Sequence, residues 1–126
     1  MQTRKLGKSG IDVSALGLGY WAIGGPFWHL EQKPESIVGY SDVDDDESIR
    51  AVWRALDLGV NFFDTSDVYG CEQSERILGR ALTGQRQRVV IVTKFGFVPD
   101  EKRHFILDED SGRSSSARHV KPAYGG

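Results

Sequence analysis

The sequence has little of several features that would direct a protein to a particular environment. Its one cysteine, Cys71, excludes an internal disulfide and is typical of a reducing compartment. The 16 Lys and Arg against 18 Asp and Glu leave a net charge of -2, which gives no electrostatic reason to expect nucleic acid as a partner. No hydrophobic run is long enough to span a bilayer, and residues 1–5 lack the apolar segment of a secretory signal. We therefore expect a cytoplasmic protein that binds neither nucleic acid nor a membrane.

The residues that are present are those of one globular domain. The 126 residues, 39% hydrophobic and 27% charged, suffice for one modest core. Residues 3–13 predict a β-hairpin around a turn with two glycines, and residues 15–19 predict a short apolar strand. Glycines and Pro26 then stop any regular element, and residues 27–43 predict a long polar and aromatic loop.

The strongest helix signal follows this loop. Asp44 and Glu47 have the spacing of a capping box, and acidic residues suit the positive end of a helix dipole. Apolar residues then recur at helical spacing up to Gly59, which predicts a left-handed cap. The apolar face predicted for this helix consists of Ile49, Val52, Trp53 and Leu56.

Strands and helices alternate in the next part of the chain. Residues 60–63 predict a strand that ends at Asp64, and residues 73–82 predict a second helix. Residues 89–93 are apolar without alternation, which is typical of a strand covered on both faces of a parallel sheet. This order predicts an α/β fold of βαβ units with right-handed crossovers. Beyond Gly96 the pattern weakens, and we expect residues 1–97 to form the folded unit and residues 98–126 an irregular, disordered tail.

Three chemically suggestive residues follow two of the predicted parallel strands. Asp64 ends one strand, Tyr69 lies on the loop after it, and Lys94 ends the next strand. The carboxyl ends of parallel strands meet at one face, so the three side chains should lie close together. A free phenol is a poor acid at neutral pH, and a nearby ammonium ion that a carboxylate keeps charged makes it a better proton donor. The pattern therefore predicts a tyrosine that protonates a carbonyl oxygen.

Simpler interpretations of the same residues remain open. Asp64 is equally well explained as a turn or capping carboxylate, and a single loop tyrosine such as Tyr69 is more often half-buried than catalytic. Lys94 is harder to explain structurally, because an unpaired ammonium at the end of an apolar strand is costly and requires a partner or water.

Several motifs resemble the aldo-keto reductases over roughly residues 3–97. The resemblance is carried by Arg4-Lys5-Leu6-Gly7-Lys8-Ser9-Gly10, Leu16-Gly17-Leu18-Gly19, Ala55-Leu56-Asp57-Leu58-Gly59-Val60-Asn61-Phe62-Phe63-Asp64-Thr65, Asp67-Val68-Tyr69-Gly70, Ser74-Glu75 and Thr93-Lys94-Phe95-Gly96. It implies the N-terminal portion of a (β/α)8 TIM barrel, here an N-terminal hairpin and about three βα units of an incomplete barrel. It also implies a small-molecule aldehyde or ketone as substrate and NADPH, or less often NADH, as cofactor.

The resemblance also implies roles for individual residues. Tyr69 would donate the proton, with Lys94 and Asp64 tuning it. Gly19, Tyr20 and Trp21, together with Asp64, match positions that contact the cofactor, and Trp28 matches the substrate wall less closely. No residues match a metal site, since no His or Cys lies at metal-ligand spacing.

The sequence departs from the family pattern in two places. The family's catalytic histidine follows an apolar strand, whereas His104 precedes its apolar triplet and His119 lies between Arg118 and Val120. The family's main phosphate-binding and adenosine-binding segments match nothing here, and a full barrel takes about 250 residues. We therefore expect a truncated or frameshifted piece, and NADPH binding by this piece alone stays open.

Two functional classes are consistent with this pattern. One is an NADPH-dependent carbonyl reductase or its first part, and the other is a non-catalytic fragment or a binding or regulatory module on the same scaffold. A Rossmann site at residues 17–22 is disfavoured, because glycines and Pro26 follow where a helix would have to begin. For the isolated chain, an open sheet edge predicts marginal stability, self-association or a need for further segments.

Overall fold

Strands and helices alternate along most of the chain in the computed structural model, which describes residues 1–29, 37–99, 101–107 and 118–121. In chain order the elements are β1 (Thr3–Lys5), β2 (Asp12–Ser14), β3 (Leu18–Gly19), β4 (Trp28–His29), α1 (Asp45–Asp57), β5 (Phe62–Asp64), α2 (Gln73–Ala81), β6 (Val90–Lys94), β7 (Phe97–Pro99), β8 (His104–Leu107) and β9 (Arg118–Lys121).

The first helix begins and ends where its local signals predict. Asp44 Oδ1 accepts a hydrogen bond from the backbone N–H of Glu47 at 2.6 Å, which satisfies one of the open donors of the first turn. Gly59 follows the helix with a φ of +86°, a conformation that suits glycine. The predicted cap, start and stop of α1 are therefore confirmed, and α2 is also confirmed to within one residue.

One residue of the predicted apolar face of α1 behaves differently. Trp53 is half-exposed, and its indole Nε1 donates to the carbonyl of Ala81 in α2 at 3.0 Å. Its ring therefore bridges the two helices at their rim, while Ser48 is buried on the side of the helix that faces the core. A tryptophan at this position satisfies its N–H and covers apolar surface at the same time.

A parallel sheet positions the candidate site. Strands β3, β5 and β6 pair in that order, all parallel, and α1 and α2 form the crossovers that parallel strands require. The core between sheet and helices includes fully buried Tyr20, Val52, Phe63 and Ile77. The hairpin formed by β1 and β2 is antiparallel, as predicted.

The segment after Gly96 is more regular than the sequence predicts. Strands β7 and β8 form an antiparallel pair, and β8 also pairs with β4 in parallel, which gives a separate three-stranded sheet. Strand β9 pairs antiparallel with β6. Residues 98–99, 104–107 and 118–121 of the predicted tail thus lie in strands, and residues 100, 108–117 and 122–126 lie outside the described residues. The irregular, disordered tail stays a prediction. A domain boundary at residue 97 stays a prediction.

Candidate active site

Asp64 and Lys94 meet at the carboxyl ends of neighbouring strands β5 and β6. The Nζ atom of Lys94 lies 2.6 Å from Oδ1 of Asp64 and 2.8 Å from the carbonyl oxygen of Thr65. The Lys94 side chain is 22% exposed and that of Asp64 38%, so the ion pair is partly shielded from solvent. The ammonium that ends an apolar strand thus has both a carboxylate and a carbonyl as partners, as its burial requires.

Tyr69 completes the cluster from the loop after β5. The Lys94 Nζ atom lies over the Tyr69 ring, 4.9 Å from the ring centroid. At that distance the cation is attracted to the negative face of the ring. The structure therefore brings Asp64, Tyr69 and Lys94 together on one rim of the sheet.

Asp67 fixes the loop that carries Tyr69, a role that the sequence analysis did not assign. Its Oδ2 atom accepts a hydrogen bond from the backbone N–H of Gly96 at 3.0 Å, and its own N–H donates to the carbonyl of Lys94 at 3.2 Å. The loop is thereby attached to the chain immediately after β6. The only sequence signal for this contact is an acid two residues before the tyrosine.

The backbone turns sharply after Tyr69. Gly70, Cys71 and Glu72 all have positive φ angles, of 61°, 52° and 70°. Two consecutive non-glycine residues in this region are uncommon, and such conformations persist only where the surroundings hold them. Helix α2 begins directly afterwards, and the N–H of Ser74 donates to the carbonyl of Tyr69 at 3.2 Å.

A buried pair of hydroxyl groups, those of Thr65 and Ser74, lies next to the candidate site. The Oγ atoms of Thr65 and Ser74 lie 2.9 Å apart, and Ser74 donates to the carbonyl of Tyr20 at 3.1 Å. Since Ser74 has one hydroxyl proton and directs it to Tyr20, Thr65 must be the donor to Ser74. These contacts connect the ends of β3 and β5 with the start of α2.

Gly19 and Trp21, at and just after the end of β3, are both accessible to solvent. Gly19 is directly opposite Asp64 in the pairing of β3 with β5, and a Cβ built on Gly19 meets no atom within 4 Å. Trp21 is 49% exposed, and its ring packs edge-on against that of Tyr40 at a centroid distance of 5.9 Å. The assignment of Gly19 and Trp21 as cofactor contacts stays a prediction.

Tyr20 differs from its two neighbours because it is fully buried in the core. Its ring packs edge-on against Phe63 at 6.3 Å, and burial raises the pKa of its phenol. Among the described residues no partner for its hydroxyl is present. The assignment of Tyr20 as a cofactor contact stays a prediction, and its burial gives it no support.

Trp28 lies apart from the cluster in strand order. It belongs to β4, in the sheet of β4, β8 and β7, and its ring lies 6.3 Å from that of His104. Its assignment to the substrate wall stays a prediction.

In the described part of the chain, no three His, Cys, Asp or Glu side chains are grouped as a metal site requires, and no helix there is long and apolar enough to cross a membrane.

Comparison with known proteins identifies the scaffold. The family model of the Aldo/keto reductase family matches residues 15–121. The chain belongs to the aldo/keto reductase family. It is 40% identical over 96 residues to aldo-keto reductase YhdN of Bacillus subtilis (strain 168). The matched residues are 75% of this chain and 25% of YhdN.

Solved aldo-keto reductases share its fold. The holo form of AKR11C1 from Bacillus halodurans matches with a TM-score of 0.66 and 30% identity, over 86% of this chain and 30% of that one. An aldo-keto reductase from Klebsiella pneumoniae in complex with NADPH matches with a TM-score of 0.50 and 30% identity, over 67% of this chain and 24% of that one.

The chain thus spans 24–30% of these aldo-keto reductases. The parallel strands β3, β5 and β6 with their crossover helices are part of a TIM barrel, and the described residues do not close into a barrel. The predicted family and the predicted incomplete (β/α)8 barrel are therefore both confirmed.

Proposed function

We propose that this chain carries the proton-donating part of an NADPH-dependent reductase that converts aldehydes or ketones to alcohols. The observation that carries the proposal is the position of the Lys94 ammonium, which lies 2.6 Å from Asp64 and over the ring of Tyr69. Family membership supports oxidoreductase chemistry, and the NADPH complex of the Klebsiella pneumoniae relative supports the choice of cofactor.

In the proposed reaction, the Tyr69 hydroxyl gives its proton to the carbonyl oxygen of the substrate. A nicotinamide cofactor, when bound, would supply the hydride to the carbonyl carbon, so that the product is an alcohol. Negative charge then remains on the phenol oxygen, and the nearby Lys94 ammonium stabilises it. Asp64 and the Thr65 carbonyl hold that ammonium in place.

The cofactor would lie along the ends of β3 and β5. Gly19 leaves room beside Asp64 for the nicotinamide, and the exposed indole of Trp21 offers a flat apolar surface. The relatives are three to four times as long as the matched segment. That this chain by itself binds the reacting end of the dinucleotide is therefore part of the proposal.

A non-catalytic binding or regulatory module is the second candidate. The observation that favours it is the setting of the histidines: His104 begins β8 instead of following an apolar strand, and His119 lies in a strand antiparallel to β6. Such a module would bind the cofactor without turning over a carbonyl substrate.

Binding and turnover of the purified chain separate the two candidates. NADPH titration followed by tryptophan fluorescence should show saturable quenching, and NADPH oxidation with 4-nitrobenzaldehyde should depend on Tyr69. Tyr69→Phe should lower kcat by about 10²–10⁴, the contribution of a positioned acid, while NADPH affinity stays within about twofold because the ring is retained. Quenching without turnover selects the binding module. A Tyr69→Phe chain that retains full turnover contradicts the role assigned to Tyr69.

A further inference from the structure

Arg103 lies at the turn of the β7–β8 hairpin, which immediately follows the strand that carries Lys94. Its φ of 63° places it in the left-handed region, and its carbonyl accepts a hydrogen bond from the N–H of Trp28 at 3.1 Å. A non-glycine residue in that conformation is uncommon and requires support from its surroundings. The hairpin therefore presents the Arg103 side chain in a defined direction.

The guanidinium of Arg103 connects two loops of the candidate active site. Its Nη2 atom donates to the carbonyl of Gly24 at 2.8 Å and to the carbonyl of Gly70 at 2.8 Å. Gly24 follows β3, Gly70 follows β5, and Arg103 itself follows β6. One guanidinium nitrogen thus joins the segments after all three parallel strands, through charge-assisted hydrogen bonds that are stronger than neutral ones.

The two loops touch each other through their backbones at the same point. A Cβ on Gly24 would lie 2.5 Å from the carbonyl oxygen of Tyr69, and a Cβ on Gly70 would overlap the carbonyl oxygen of Gly24. Both glycines are buried. The carbonyl oxygens of Gly24 and Gly70 both lie 2.8 Å from Nη2 of Arg103, and a cation that donates to both offsets the repulsion between the two dipoles.

The turn after Tyr69 needs such an external contact. Gly70, Cys71 and Glu72 have positive φ in succession, so the chain there is held in a conformation that is costly by itself. The contact from Arg103 acts on Gly70, the residue directly after the proposed proton donor. A shift of this turn would carry the Tyr69 ring away from the Lys94 ammonium.

We propose that Arg103 is a positioning residue, which ties the loops after β3 and β5 together and thereby holds the Tyr69 ring against Lys94. Its effect on catalysis rests on the proposed function, whereas its effect on the Tyr69–Lys94 geometry does not. The sequence predicts an irregular segment around Arg103, and no pattern in the sequence pairs Arg103 with the two glycines.

The geometry can be measured without activity. Because the Lys94 ammonium lies over the Tyr69 ring, we expect the ring current to shift the proton resonances of the adjacent Lys94 Cε methylene. The Tyr69→Leu variant gives the position of these resonances without the ring. Arg103→Met keeps a long side chain but removes the donors. It should lose at least half of that shift, and Arg103→Lys, which retains donors without the planar fork, should lose less. Arg50→Met, at an exposed position of α1, is the matched control and should retain the full shift.

Turnover gives the second measurement. Arg103→Met should lower kcat by about tenfold, or ~1.4 kcal/mol in activation free energy, because the proton donor is displaced from Lys94. An unchanged Lys94 resonance in Arg103→Met overturns the proposal. Should that variant fail to fold, the same resonance in Arg103→Gln decides, since its shorter amide cannot reach both carbonyls. Turnover that survives Tyr69→Phe overturns the proposed function alone, and the resonance still decides the role of Arg103.

Discussion

Among single residues, Tyr20 carries the clearest energetic cost. Its side chain is fully buried, and no described residue accepts or donates a hydrogen bond at its hydroxyl. A buried polar group without a partner costs about 1–3 kcal/mol. The ring itself is well packed against Phe63, so the cost lies in the hydroxyl and not in the shape of the side chain.

Tyr20→Phe should therefore raise the free energy of unfolding by about 1 kcal/mol at neutral pH. Burial raises the pKa of the Tyr20 phenol, so the folded chain keeps this proton after the unfolded chain, with a pKa of about 10, begins to release it. The unfolded state then binds fewer protons, and stability falls as the pH rises through about 10, by at most ~1.4 kcal/mol per pH unit. Urea unfolding between pH 7 and 11 measures both effects. If the free energy of unfolding falls equally with rising pH in wild type and in Tyr20→Phe, Tyr20 is excluded as the cause.

Substitution of Asp64 measures how much the Asp64–Lys94 ion pair contributes to catalysis. Asp64→Asn removes the negative charge next to Lys94 and leaves the Thr65 carbonyl as a partner of the ammonium. We expect kcat to fall by about tenfold, or ~1.4 kcal/mol, because the ammonium is held less firmly over Tyr69. Asp12→Asn is the matched control, since its pair with Lys5 is about 60% exposed on both sides and pairs of that kind contribute at most about 1 kcal/mol. Equal activity of the two variants would contradict the role of Asp64.

At the scale of elements, contacts between neighbouring residues are predicted well and distant pairings are not. The cap of α1 depends on Asp44 and Glu47, which are three positions apart, and its sequence signal is therefore complete. The site residues Asp64 and Lys94 were also predictable, because the carboxyl ends of parallel strands share one face. Strand β8 has only four residues and pairs with the distant β4, so nothing in its local pattern identifies its partner.

The close backbone contact between the loops after β3 and β5 can be tested by substituting a glycine. Gly70→Ala would place a Cβ onto the Gly24 carbonyl at a positive φ, so the substitution should lower the free energy of unfolding by about 1–3 kcal/mol or more. Gly79→Ala is the matched control on α2, where an added Cβ meets nothing within 4 Å, and it should stabilise the chain by about 0.5–1 kcal/mol. Thermal unfolding of both variants measures the difference. A Gly70→Ala chain as stable as Gly79→Ala would contradict the close contact between these loops.

At the scale of the whole molecule, the chain leaves much apolar surface uncovered. A cavity of about 380 Å³ opens between α2 and β6 and is lined partly by Leu78, Leu82 and Ile91. Several large hydrophobic side chains are also 45–64% exposed: Met1, Leu16, Trp21, Ile37, Tyr40, Trp53, Leu58 and Val98. Each large apolar side chain left in water forgoes about 1.5–3 kcal/mol of burial.

The isolated chain should therefore be marginally stable or self-associate. Analytical ultracentrifugation over a hundredfold range of concentration should show association, and the melting temperature should rise with concentration. A monomer with a sharp, concentration-independent transition above about 50 °C would contradict this expectation. The edge of β6 that does not pair with β5 is paired with β9, so apolar faces such as the cavity between α2 and β6 are the better candidates for the contact surface.

The position of β9 has a consequence for any larger assembly. A strand has two hydrogen-bonding edges, and those of β6 are occupied by β5 on one side and by the antiparallel residues 118–121 on the other. In a closed barrel of parallel strands, the second edge must accept a strand that runs in the same direction as β6. Both strands would use the same peptide groups, so they exclude each other. Barrel closure around this sheet therefore has to begin with the departure of residues 118–121.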